Sequence, residues 1–189
     1  MRYDKTHKET TRRRVIEVAS ARFRKEGIDA VGVASLMGDA GLTHGGFYSH
    51  FPSKDALIKE AIAHAMEGSL ARHQKTIESG DITTFIRAYL RSSHRDHPES
   101  GCVAAALASE VARHPAETRT AFTEEFNRLV DFITKLLPEH DAAIAQAILA
   151  TLIGTLQLAR AVSDPVLSDA ILAAGEAGAL ALVDSKRRD

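Results

Sequence analysis

Between Thr43 and Lys54 the chain reads THGGFYSHFPSK, with hydroxyls, imidazoles and an ammonium group interleaved among glycine and phenylalanine. The chemistry open to such a set is hydrogen bonding and charge neutralisation toward phosphates and base edges. Thr43 is a good cap for a helix running from His44 to about His50. Phe47 and Phe51 lie four apart and anchor that helix inward, leaving the polar tips of Tyr48 and His50 outward. Gly45 and Gly46 each cost roughly 1 kcal/mol relative to alanine inside a helix, so close approach of the backbone to a partner is the better reason for them. Pro52 ends the run, Ser53 caps the next helix, and Lys54 falls in its first turn. Two adjacent helix N-termini and a lysine make a phosphate site.

The elements that must position these residues are readable on either side. Val33, Leu36, Met37 and Ala40 recur at helical spacing, giving a short helix with one apolar face. Gly41 supplies the left-handed backbone that ends it, and Leu42 closes over the face. Helix, turn and second helix form a device whose second helix enters the major groove. Upstream, Thr6 and Glu9 have capping-box spacing and Gly27 is placed as a terminator, so a first helix is expected over His7 to Glu26. Arg2, Lys5, Lys8, Arg12, Arg13, Arg14, Arg22, Arg24 and Lys25 crowd this segment against Asp4, Glu9 and Glu17, the footprint of a polyanion partner. Met1 to Lys5 read as a solvated tail, while Val15, Ile16, Ala19 and Phe23 order the rest. Downstream, Leu57, Ile58, Ala61, Ile62, Ala65 and Leu70 mark a long fourth helix from Lys54 towards Glu78, with Gly80 after it.

The run GLTHGGFYSHFPSK, preceded by a basic helix ending in Gly27 and followed by a long helix, resembles the TetR family of bacterial transcriptional regulators. The resemblance covers the first quarter to third of the chain; the rest agrees in length and helical character. It implies a three-helix DNA-binding domain over 1–53, an all-helical effector and dimerisation domain over 54–189, and repression relieved by an inducer. The DNA-contacting set it implies is Gly32, Thr43, His44, Gly45, Gly46, Tyr48, His50 and Lys54, with Arg12 from the first helix. Gly32 departs from the family, which usually carries Thr or Ser there, so backbone N–H groups must meet the phosphate. Gly46 replaces the usual Thr, Ser or Ala, and direct readout then leans on His44 and Thr43.

At 189 residues the chain is one medium domain or two small ones. Apolar residues make up 44% but aromatics only 5%, with alanine and leucine plentiful, which favours an all-α fold of about nine helices. No apolar run is expected to reach the roughly 20 residues that span a bilayer, and no secretory signal is evident, so a cytoplasmic protein without a membrane partner is the default. Asp81 caps a fifth helix carrying Phe85, Ile86, Tyr89 and Leu90, broken around His97, Pro98 and Gly101. A sixth runs from Cys102 to His114, and a seventh carries Phe122, Phe126, Leu129, Val130, Ile133, Leu136 and Leu137. The last two, about Asp141 to Val162 and Val166 to Val183, are apolar on more than one face and call for cover from a second copy of the chain. Gly154, Gly175 and Gly178 would permit close helix approach.

An inducer pocket is expected from Phe85, Tyr89, Leu107, Phe122, Phe126 and Leu156, with polar selection by Glu110, Gln157 or Arg160. Plain core is the commoner role of such stripes. Cys102 opens a helix, where a thiol can become a reactive thiolate, which gives a redox-sensing alternative; a small buried hydrophobe is the commoner fate. His94 and His97 have workable ligand spacing, but no second pair accompanies them, so no metal or cofactor is expected. Glu110, Glu124 and Glu125 form no arrangement of nucleophile and base, so the chain is not read as an enzyme. The alternative from another class is a helical small-molecule or metal-binding protein whose basic N-terminus contacts RNA or lipid.

Overall fold

The computed structural model describes residues 2–76 and 81–185. Among them are nine α-helices and two short 3-10 helices and no strand: α1 (Arg2–Glu26), α2 (Val33–Asp39), a 3-10 helix (His44–Ser49), α3 (Lys54–Thr76), α4 (Ile82–Tyr89), α5 (Ser92–Asp96), a second 3-10 helix (Pro98–Ser100), α6 (Val103–Val111), α7 (Ala116–Leu136), α8 (Ala142–Ala161) and α9 (Pro165–Ser185). The expected all-α architecture is present, with two differences of detail. The first helix begins at Arg2, so Thr6 lies inside it and is no cap; its side chain is outside the described residues. The segment after Thr43 winds as a 3-10 helix, which makes the long fourth helix α3. The expected end of that helix near Glu78, and Gly80, lie outside the described residues.

Terminators act as their chemistry dictates. Gly27 and Gly41 take φ of +91° and +75°, where a Cβ would be strained. Leu42 N–H bonds back to Met37 O at 2.8 Å, satisfying a carbonyl at the end of α2. Asp81 accepts from Thr84 N at 3.0 Å, Ser53 from Ala56 N at 3.1 Å, and Asp141 from Ala143 N at 2.8 Å and Ile144 N at 3.1 Å.

One continuous core runs from Val15, Ala19 and Phe23 of α1 through Leu36, Phe47, Phe51, Leu57 and Ile58 into Phe85, Tyr89, Leu107, Ile133 and Leu152. The helix-turn-helix therefore rests on the first turns of α3. The helices α8 and α9 form an intimate pair: a Cβ on Gly175 would meet the Thr155 side chain at 2.1 Å, so this glycine serves close approach within the chain, whereas Gly154 and Gly178 face open space. The sequence expectation on apolar runs needs correction. Ala142–Ala161 and Pro165–Asp184 are both long and apolar enough to cross a membrane by length and composition, with mean hydropathy 1.7, yet only 39% and 22% of them are buried in the chain. Few charges interrupt them, because each packs on the other and still has apolar surface to spare.

Candidate nucleic-acid interface

The 3-10 segment presents one face inward and one outward. Phe47 and Phe51 are fully buried and stacked, with ring centroids 5.6 Å apart. Tyr48 sets its edge against Phe47 at 5.2 Å but is 70% exposed, so its hydroxyl reaches solvent. Thr43, His44 and Gly45 are exposed. Thr43 occupies the cap position with extended backbone, but its side chain makes no capping bond and is free to meet a partner. A Cβ on Gly32 or Gly45 would meet nothing, and one on Gly46 only ordinary contacts with Met37 and Thr43. None of the three has positive φ. Nothing inside the chain requires glycine there, which leaves the outer surface as the place where its smallness counts.

The structure places three of the residues that the sequence set on DNA against other parts of the chain. His50 is not an outward polar tip: its ring packs near Phe51, its Nδ1 is buried without a hydrogen-bond partner among the described residues, and burial, then Lys8 and Arg12, hold its pKa below the usual histidine value. Arg12 pairs with Glu60 of α3, lies with its guanidinium carbon 4.7 Å from the Phe51 ring centroid, and donates to His50 O at 3.4 Å. It fastens α1 to α3 and to the end of the recognition segment. Lys54 donates from Nζ to Ile28 O at 2.7 Å, spending its charge on the turn that follows α1.

Other cations take the outward role. Arg13 pairs with Glu17, and Arg22 braces α1 against Asp39 and Ser35 of α2 while pairing with Glu26. Arg14 is exposed, has no ion-pair partner among the described residues, and lies beside the Gly41 turn, 3.8 Å from where a Cβ would stand. Lys8, six residues earlier on the same helix, is also exposed. The sequence placed both in the basic run; which of its charges face outward depended on α2 and α3.

The turn after α1 ties the helix-turn-helix to the rest. Glu110 of α6 accepts from Ile28 N at 2.6 Å and Asp29 N at 3.3 Å, and a Cβ on Gly27 would collide with its carboxylate. His114 lies 3.9 Å from Asp29 and 3.6 Å from Asp55. Glu110 thus links α6 to the turn after α1. Of the other expected pocket residues, Phe85, Tyr89, Leu107 and Leu156 are fully buried core. Phe122 and Phe126 stack on each other, half-buried, along α7. Gln157 and Arg160 do line a groove.

Cys102 is buried at the cap position of α6. His94 bridges its surroundings: Nδ1 donates to Tyr89 O at 2.7 Å and Nε2 accepts from Cys102 N–H at 2.9 Å. Burial pushes its pKa down to about 4, with Arg160, Arg91 and Arg72 acting in the same direction. His97 faces Glu99 at 3.2 Å.

Residues 15–61 match the model of the bacterial regulatory proteins of the tetR family. The chain is 24% identical over 125 residues to the HTH-type transcriptional repressor KstR2 of Rhodococcus jostii, a match covering 66% of this chain and 61% of that protein. It is 28% identical over 150 residues to the HTH-type transcriptional regulator YxaF of Bacillus subtilis, covering 75% and 78%. The match to KstR2 thus spans about three-fifths of that repressor. In fold, the chain is similar to the TetR-family transcriptional regulator from Cytophaga hutchinsonii, with a TM-score of 0.76 at 18% identity over 95% of this chain and 96% of the other.

Proposed function

We propose, from the match of residues 15–61 to the model of the tetR-family regulatory proteins, that the chain is a ligand-responsive transcriptional repressor, not an enzyme, that grips an approximately palindromic operator as a cytoplasmic homodimer. The observation that carries this reading is the recognition segment. Phe47 and Phe51 lock it to the core while Thr43, His44, Gly45 and Tyr48 face outward beside the unpaired Arg14. Gly32, Gly45 and Gly46 let the backbone come close to the duplex, phosphate neutralisation supplies most of the affinity, and Thr43 and His44 read bases. The reading head extends over about 1–53, and the helices from Lys54 onward serve effector binding and dimerisation.

Two heads are needed for two half-sites, and the unburied apolar faces of α8 and α9 are what a second copy would cover. Leu158, Val166 and Leu167 are 60%, 76% and 48% exposed there. The redox alternative has less support, since Cys102 is 1% exposed and an oxidant would have to reach it through the core. The test is a salt titration of binding to a duplex from the chain's own promoter and to its scrambled counterpart. Steeply salt-dependent binding that strongly prefers the promoter is expected; equal, weak binding to both refutes the reading.

A further inference from the structure

Three arginines from three helices converge on α5 and the loop that joins it to α6. Arg24 of α1 donates to Gly101 O at 3.1 Å, Arg72 of α3 to Ser100 O at 2.7 Å, and Arg160 of α8 to His94 O at 2.6 Å and Arg95 O at 3.1 Å. Every one of these acceptors is a neutral carbonyl. Neither Arg24 nor Arg160 has a carboxylate within ion-pairing distance among the described residues, although both are half-buried. The acids whose charge reaches them, Glu99 for both and Asp96 for Arg160, make their own contacts elsewhere: Asp96 pairs with Arg95 and Glu99 faces His97. Burial, and then the charge of Arg72, hold the Arg24 guanidinium down to about 10, and burial lowers Arg160 as well. Half-buried charge of one sign without a directly paired counter-charge is costly, and a ligand that completes the pair offsets that cost.

The two unpaired guanidiniums share a groove. Arg24 and Lys25 of α1, Arg95 of α5, Ser109 of α6 and Gln157 and Arg160 of α8 line it, together with alanines of α6 and α8. Its volume is about 620 Å³, within the roughly 300–1,000 Å³ of small-molecule sites. We infer that this groove binds an amphipathic organic anion, whose carboxylate or phosphate head sits between Arg24 and Arg160 and whose short apolar body lies on the alanines of α6 and α8. The inference rests on the regulator reading for its consequence and names the ligand class and its place. The groove straddles the joint between the two halves of the chain. One cationic wall belongs to the helix that carries the reading head, and Ser109 precedes the Glu110 that holds the turn after that helix. An anion that draws Arg24 towards Arg160 therefore acts on the last turn of α1 directly, without first opening the core around Phe85 and Tyr89.

The test titrates the full chain, free of DNA, with octanoate, octyl phosphate and octanol by calorimetry. At least one anion should bind about tenfold or more tightly than octanol, and the better of the two identifies the head group. Arg24→Gln and Arg160→Gln should each weaken that binding by about tenfold or more. Because both arginines also hold loop carbonyls, Lys25→Glu and Ser109→Asp, at exposed positions, place negative charge in the groove without disturbing the core. They should weaken anion binding similarly while leaving the melting temperature unchanged. Octanol binding as tightly as the anions, no anion binding, or full binding by Lys25→Glu and Ser109→Asp would overturn the site. Operator binding without any probe is measured in parallel. A chain that binds its operator but no anion refutes this site alone, and one that binds anions through the arginines but no duplex refutes the regulator reading alone.

Discussion

A histidine with both ring nitrogens engaged by backbone groups cannot take up a proton without losing one of its bonds. His94 is so placed between Tyr89 O and Cys102 N–H, and burial lowers its pKa to about 4. In the unfolded chain it would titrate near the ordinary value of about 6.5. The unfolded state therefore binds more protons between those two values, so stability is full above about pH 6.5 and falls as pH falls towards 4, by up to about 3 kcal/mol. Thermal melts across that window should show the loss, and His94→Gln, whose amide can serve the same two partners, should flatten it. The outward residues make a second residue-scale prediction. Tyr48→Phe should weaken every duplex alike, by about 1 kcal/mol, whereas His44→Ala should change preference among operators at one position by about 1–3 kcal/mol. Gel-shift titrations on an operator library distinguish them, and a uniform loss for His44→Ala would remove it from base reading.

At the scale of elements, the turn after α1 decides how the head sits. It receives Lys54 of α3 on its carbonyl and Glu110 of α6 on its N–H groups, so two helices on different sides of the chain fix one short loop. Glu110→Ala leaves those donors unmet, at a cost of about 1–3 kcal/mol, and frees α6 from α1. It should lower the melting temperature by a few degrees and weaken operator binding, while Glu110→Gln, which still offers an oxygen, should retain most of both. A variant with unchanged operator affinity would show that the head does not depend on α6. Lys54 belongs to the same joint. Its replacement by alanine should disturb the head's orientation and leave the salt slope of DNA binding as it was.

For the whole molecule, the apolar surface that α8 and α9 leave uncovered is the feature most at odds with a lone chain in water. Leu158→Glu places a charge on that face, 60% exposed in the single chain. Light scattering should then report a monomer, and operator binding should fall to the level of one head, because half-sites one helical turn apart reward only a linked pair. An unchanged mass would place the pairing surface elsewhere.

What the residues by themselves determined was local. Capping side chains, positive-φ glycines and apolar spacing act within a few residues, so the helix-turn-helix, the inward Phe47 and Phe51, the outward Tyr48 and most helix ends could be read from THGGFYSHFPSK and its neighbours. Tertiary structure decided how each charge is used. Arg12, Lys54 and Glu110 look alike in sequence to any surface charge, but partners distant along the chain, Glu60, Ile28 and Asp29, turn them into braces. The same holds for Arg24 and Arg160, whose shared groove exists only once α1, α6 and α8 have packed. Caps and backbone turns are set by neighbours in sequence, whereas the partner of a charged side chain is whichever group, charged or neutral, the fold brings within reach.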